Sequence, residues 1–130
     1  MGKVNLKVNR LAVVAQPIAR FVRWLYDYDP EFVEDGCADV ANVVVSYANS
    51  IGIPSEVEYG YARTTEAGLF PHAWVNIDGV RWDPTIWAIS GPSTFGYKID
   101  RDVMDLLLSE TESDGAYYDY LIGRYIAEAH

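Results

Sequence analysis

The sequence predicts an α+β fold in which a central helix, beginning with the only cysteine, packs on an antiparallel sheet. Three observations predict it: a helical apolar pattern before residue 30, a long apolar stretch that begins at Cys37, and two alternating runs joined by Asp78-Gly79. The chain has 130 residues and 50% of them are hydrophobic, which is enough for one buried core and too little for two. We therefore expect a single domain over residues 1–130.

The first elements differ in how well their pattern defines them. Residues 3–14 partly alternate between apolar and polar side chains and could form a strand. Residues 17–28 have the spacing of a helix, with Pro17 suited to its first turn and Pro30 ending it. The apolar positions of this helix follow at i, i+3, i+4 and i+7: Ile18, Phe21, Val22 and Leu25.

The apolar stretch over residues 37–51 predicts the central helix. Its valines at 43–45 taken alone suggest a strand, but the length of the stretch favours a helix. Asp35, at the end of an acidic segment over 31–35, is a candidate N-cap, and Gly52 follows the last apolar residue. One stripe of this helix should be buried: Cys37, Ala41, Val44, Ala48 and Ile51.

Strands are predicted over residues 57–63, 70–78 and 80–85. Asp78-Gly79 between the last two is a strong hairpin signal. A two-residue turn there pairs Ile77 with Val80, Val75 with Trp82 and Trp74 with Asp83.

The alternation of side chains along this hairpin produces an apolar face and a second, polar face. His72 and Asp83 are diagonal neighbours on the polar face, within hydrogen-bonding reach of each other. Trp74 shares that face with His72, which makes it a candidate substrate contact as well as a candidate for sheet packing.

The remaining segments have weaker signals. Residues 64–71 are polar and contain glycine, so they either cover a substrate or merely connect two strands. Residues 87–97 have the composition of a loop. Residues 101–109 and 116–128 should be two short helices, the second an amphipathic helix that packs its aromatic side chains on the domain.

Charge and hydropathy exclude several function classes. Ten Lys and Arg residues stand against 19 Asp and Glu, and the net charge of −9 would repel nucleic acid and anionic lipid. No apolar run approaches the roughly 20 residues of a membrane span, and we expect no secretory signal. We expect neither a nucleic-acid partner nor a membrane, and a cytoplasmic location.

Cys37 is a candidate nucleophile because it starts a predicted helix, where backbone amides stabilise a thiolate. His72 with Asp83 beside it supplies a base whose other ring nitrogen is fixed by a carboxylate. The chain has one further histidine, the terminal His130. On composition alone, a lone cysteine is more often a small core residue.

A zinc site made of the same cysteine, histidine and aspartate is chemically permissible. No second histidine or cysteine strengthens it. We expect no metal and no cofactor.

Five strings resemble motifs of the transglutaminase-like superfamily in order and spacing. They lie within residues 36–85, inside a motif-bearing core of about 31–90: Gly36-Cys37-Ala38-Asp39, Gly52-Ile53-Pro54, Glu58-Tyr59-Gly60-Tyr61, His72-Ala73-Trp74-Val75 and Arg81-Trp82-Asp83-Pro84-Thr85. The resemblance implies a papain-like α+β fold. It also implies that Cys37 is the nucleophile, His72 the base and then the acid, and Asp83 the group that orients the imidazole.

The resemblance implies acyl chemistry through a thioester on a protein or peptide substrate. Hydrolysis of a peptide or isopeptide bond is the first expectation, and transfer to an amine or deamidation of glutamine is the alternative. The sequence contains no D-x-D-x-D-G calcium loop. A reading of another class is a protein-binding module that kept the fold without catalysis.

The oxyanion hole of such a site would combine the Cys37 backbone N–H with a second donor. Papain-like enzymes often have a glutamine about six residues before the cysteine, where this chain has Glu31, and an ionised carboxylate cannot donate. Gln16, the only glutamine, is the candidate second donor. Other upstream donors are Trp24, Tyr26 and Tyr28.

Overall fold

The computed structural model describes residues 16–64, 68–85, 96–109 and 115–129. The protein is mixed α and β, with a four-stranded antiparallel sheet of order β3-β2-β1-β4. The elements are α1 (16–28), α2 (Pro30–Asp35), α3 (Cys37–Ser50), β1 (Ser55–Thr64), β2 (Gly68–Ile77), β3 (Val80–Trp82), β4 (Gly96–Ile99), α4 (Val103–Leu108) and α5 (Gly115–Ala129). The strand predicted over residues 3–14 lies outside the described residues. Among the described helices, none has the length and apolar character needed to cross a membrane.

Helix α1 confirms the predicted apolar pattern, since all four of its patterned positions are buried. Pro30 ends α1, but it also begins α2 as the first residue of that helix. The Asp29 side chain caps α2 by accepting a hydrogen bond from the Phe32 N–H at 3.2 Å. The acidic segment 31–35, predicted only to lead into the next helix, is therefore helical itself.

Helix α3 begins at Cys37, as predicted, and its burial confirms a central position. The predicted N-cap Asp35 is wrong: Asp35 ends α2, and Gly36 occupies the N-cap position of α3. Gly52 follows the helix with a φ of +83°, which confirms the predicted glycine stop. The apolar stripe is buried at Ala41, Val44 and Ala48 and half-buried at Cys37, whereas Ile51 lies beyond the helix and is exposed.

The hydrophobic core lies between α1, α3, α5 and one face of the sheet. Phe21, Tyr47 and Tyr125 bring the three helices together, with ring centroids 4.6, 5.1 and 5.4 Å apart. Leu121 and Tyr125 are buried in α5, which confirms that this aromatic helix packs on the domain.

The β2–β3 hairpin has the predicted register, with Ile77 opposite Val80 and Val75 opposite Trp82. Asp78 and Gly79 both have positive φ, as this tight turn requires. The predicted extension of β3 to residue 85 is wrong, because the strand ends at Trp82 and residues 84–85 are helical. Proline lacks the N–H that a ladder needs and suits the first turn of a helix.

Strands β1 and β2 pair along their whole length, from Ser55 opposite Ile77 to Thr64 opposite Gly68. Most of the segment 64–71 is therefore strand. This pairing favours the prediction that the segment connects two strands, and residues 65–67 lie outside the described part of the chain.

Strand β4 corrects the loop predicted over residues 87–97, whose last two residues belong to this strand. Residues 87–95 lie outside the described residues. Strand β4 pairs with β1, and Gly60 permits a close approach between them: a Cβ there would lie 2.9 Å from the Ile99 Cα and far inside contact distance of the Lys98 carbonyl oxygen. Because a residue at position 60 shares a face with its partner His72, the β4 backbone bends over the His72 side of β1.

We expect Gly60→Ala to lower the free energy of unfolding by more than about 2 kcal/mol, because backbone atoms of β4 must move to admit the methyl group. Urea denaturation measures it. The matched control is Gly123→Ala, at an exposed position of α5 with no atom near its added Cβ, where helix propensity predicts a gain of up to about 1 kcal/mol. Equal midpoints for the two variants would contradict the close approach.

Candidate active site

Cys37 lies at the first position of α3 and is half-buried with a free thiol. The first backbone bond of the helix runs from the Val40 N–H to the Gly36 carbonyl oxygen at 2.8 Å. The amides of residues 37–39 therefore precede the helical ladder and form its positive end. This is the location at which a helix stabilises negative charge on a sulfur.

His72 lies in β2, on the opposite face of the strand from the core residues Ala73 and Val75. The residue is 3% exposed, and its ring packs between Phe70, at 5.3 Å between centroids, and Trp74, at 6.1 Å. Nε2 of His72 lies 2.9 Å from Oδ2 of Asp83, and the Cys37 thiol is near enough to the imidazole to raise its pKa. The three predicted catalytic residues are thus brought together at one place.

Asp83 follows directly after β3 and is completely buried. A buried carboxylate is stable only with hydrogen-bond donors around it. Those described include Nε2 of His72, the Tyr97 hydroxyl at 2.8 Å from Oδ2, and the Thr85 hydroxyl at 3.3 Å from Oδ1. These donors come from β2, β4 and the helical residues after β3.

The charge state of His72 follows from opposing effects. Burial lowers the pKa of the imidazole, but hydrogen bonds to Asp83 and Cys37, together with the negative charges of both, raise it to about 9. At neutral pH the ring is therefore an imidazolium. With Nε2 bound to Asp83, Nδ1 is the nitrogen left for the sulfur.

Trp74 shares the face of His72, as predicted, but it is completely buried. Its indole N–H donates to Oε1 of Glu58 at 2.8 Å. The Tyr97 ring packs edge-on against it at 4.8 Å, and the Arg81 guanidinium lies 5.5 Å from its centroid. Trp74 thus packs against the imidazole of His72. A contact between Trp74 and a substrate stays a prediction.

The second oxyanion donor also stays a prediction. Gln16 is exposed at the start of the described chain, and within the described ranges no hydrogen bond joins it to Cys37 or His72. The hydroxyls of Tyr26 and Tyr28 are each hydrogen-bonded to another side chain.

No sequence pattern indicates a role for Tyr97, which lies in a predicted loop, or for Glu58 as the hydrogen-bond partner of the Trp74 indole. Both lie on strands whose pairing with the site is long-range. Thr85, the last residue of the string 81–85, donates to Asp83 from the helical residues after β3.

Comparisons with protein-family models, curated proteins and solved structures find no match. Within residues 16–64, 68–85, 96–109 and 115–129, no group of three or more His, Cys, Asp or Glu side chains is arranged to hold a metal ion.

We expect Asp83→Asn to lower the pKa of His72 from about 9 by at least about one unit. The substitution removes the carboxylate charge and weakens the hydrogen bond, while the burial that lowers the pKa remains. NMR titration of the imidazole Cε1–H measures it, in a His130→Gln background that leaves one histidine signal. Asp119→Asn, at an exposed position of α5, is the matched control, and an unchanged His72 titration in Asp83→Asn would contradict the assigned contact.

Proposed function

We propose that the protein is a thiol hydrolase of the transglutaminase-like, papain-like type that cleaves an amide bond in a peptide or isopeptide. The observation that carries the proposal is the juxtaposition of Cys37, at the N-terminus of α3, with the hydrogen-bonded pair of His72 and Asp83. The packing of α3 on an antiparallel sheet supports the papain-like assignment.

The first half of the reaction forms a thioester. Sγ of Cys37 attacks the carbonyl carbon, and the oxygen that becomes negative faces the Cys37 backbone N–H. The carbon–nitrogen bond then breaks as the His72 imidazolium protonates the leaving amine, so that the acyl group stays on sulfur and the imidazole becomes neutral.

The second half returns the enzyme to its starting state. Neutral His72 takes a proton from water, whose oxygen attacks the thioester carbon. The carbon–sulfur bond breaks, a carboxylic acid leaves, and the thiolate–imidazolium pair is restored. Asp83 holds the ring through Nε2 in both halves, so that the other nitrogen stays directed at the reacting atoms.

The pKa of His72 suits this cycle. A pKa of about 9 keeps the ring protonated at neutral pH, which is the form that a leaving amine needs from the outset. Cys37 is half-buried, whereas His72 and Asp83 are almost fully covered, so a substrate would reach the site at Cys37.

The thioester could also be resolved by a primary amine in place of water. A labelled primary amine such as dansylcadaverine, offered with a glutamine-rich protein, distinguishes the two outcomes. Covalent incorporation of the label indicates acyl transfer, and release of a new carboxylic acid without label indicates hydrolysis.

We expect iodoacetamide to alkylate native Cys37 at pH 6–7, well below the ordinary thiol pKa of about 8.5, and faster than it alkylates the unfolded chain at the same pH. The reason is the imidazolium and the helix N-terminus next to the sulfur. Mass spectrometry over a pH series measures the rate, and the single cysteine gives a single labelling site.

The matched variant for that experiment is His72→Gln, which should remove the reactivity at neutral pH while Cys37 stays in place. Cys37→Ala should keep the fold and lose all turnover. Native Cys37 that reacts only above about pH 8.5, or only after unfolding, would exclude the catalytic proposal and favour the protein-binding module.

A further inference from the structure

We propose that Tyr97 is a positioning residue of this site, whose hydroxyl holds the Asp83 carboxylate in the orientation that meets Nε2 of His72. Its consequence for catalysis rests on the proposed function. The positioning itself is measurable without any substrate.

The geometry at Asp83 carries the inference. The Tyr97 hydroxyl donates to Oδ2 at 2.8 Å, and the same oxygen contacts Nε2 of His72 at 2.9 Å. The Thr85 hydroxyl donates to the other oxygen at the longer distance of 3.3 Å. A carboxylate turns about its Cβ–Cγ bond, and the Tyr97 hydrogen bond fixes that rotation at the oxygen that the imidazole uses.

Tyr97 lies on β4, the edge strand opposite β3, and its ring reaches Asp83 across the face of the sheet. Tyr97 is opposite Ala62 in the β1–β4 register, and Ala62 lies two residues after Gly60, so Tyr97 shares the His72 face. The bend of β4 over Gly60 brings the ring above Trp74, at 4.8 Å between centroids.

Other side chains hold that ring in place. The Arg81 guanidinium lies 4.9 Å from the Tyr97 centroid and 5.5 Å from that of Trp74. Because the cation covers both aromatic rings, the hydroxyl of Tyr97 is directed by packing as well as by its hydrogen bond to Asp83.

The direction in which the pKa of His72 changes when the Tyr97 hydroxyl is removed distinguishes two roles of that hydroxyl: positioning of the Asp83 carboxylate and dispersal of its charge. Among the described residues, the charged groups that raise the pKa of His72 are Cys37 from α3 and Asp83 after β3, and Tyr97 contacts Asp83. Arg81 and Glu58 contact the Trp74 side chain instead. If the hydroxyl only disperses the carboxylate charge, its removal strengthens the attraction and raises the pKa of His72. If it positions the carboxylate, its removal weakens the hydrogen bond to Nε2 and lowers that pKa.

The test is Tyr97→Phe in the His130→Gln background, followed by NMR titration of His72. We expect the pKa to fall from about 9 by about half a unit or more, and alkylation of Cys37 at pH 7 to slow several-fold. Tyr61→Phe, on the opposite face of β1, is the matched control and should change neither quantity. Placing p-aminophenylalanine at position 97 restores a donor and should recover both.

An unchanged or raised pKa of His72 in Tyr97→Phe overturns the proposal. Should that variant fail to fold, the native protein provides a second measurement. The Tyr97 hydroxyl proton and the His72 Nε2 proton point at the same oxygen of Asp83, so we expect an NMR cross-peak between them. Absence of this cross-peak at low temperature overturns the proposal.

The two proposals fail separately. A lowered His72 pKa in Tyr97→Phe, together with a native Cys37 that is inert at neutral pH, leaves the positioning intact and removes the thiol hydrolase. A reactive Cys37 whose rate and His72 titration are the same in Tyr97→Phe leaves the hydrolase intact and removes the positioning role.

Discussion

The carboxylate of Asp83 is the constraint around which the polar side of the sheet is built. An ionised carboxylate in the interior costs several kcal/mol unless donors replace its lost water. The side chains that do so come from elements that are not neighbours in the chain: His72 from β2, Tyr97 from β4 and Thr85 from the residues after β3. The sheet must therefore bring β3 and β4, which are its opposite edges, over one common face. This requirement explains why β4 has to bend across β1.

The two faces of the sheet thus have different roles in the fold. One face carries Ala73, Val75 and Ile77 against α3 and supplies apolar burial. The other carries His72 and Trp74, which are contacted by the rings and charged groups of neighbouring strands. The absence of a Cβ on the β1 residue opposite His72 makes these contacts possible, so the curvature of the sheet and the seclusion of the imidazole have the same cause.

What the sequence predicted well was local. The Asp78-Gly79 turn admits few hairpin registers, and the observed register placed Asp83 beside His72 as the alternation required. The start of α3 followed from the apolar stretch. What escaped prediction depended on distant pairing: the Gly- and Ser-rich composition before Tyr97 hid a four-residue edge strand whose stability comes from β1. Helix α2 escaped because Pro30 signals an end and a beginning equally, and its formation took Asp35 away from the cap of α3.

Stability alone does not account for the His72–Asp83 pair. Replacing a buried ion pair by apolar side chains of similar volume is often neutral or stabilising, so a module that only bound a partner would have no energetic need for this one. The pair is best explained by the Cys37 sulfur beside His72, and this arrangement supports the catalytic proposal over the binding module.

A further hydrogen bond holds the helix that carries Cys37. The buried carboxylate of Asp39, in the first turn of α3, accepts it from the hydroxyl of Tyr118 of α5 at 2.6 Å. The helix that carries Cys37 is thus held by α5, whereas the Asp83 partner of His72 is held by β4.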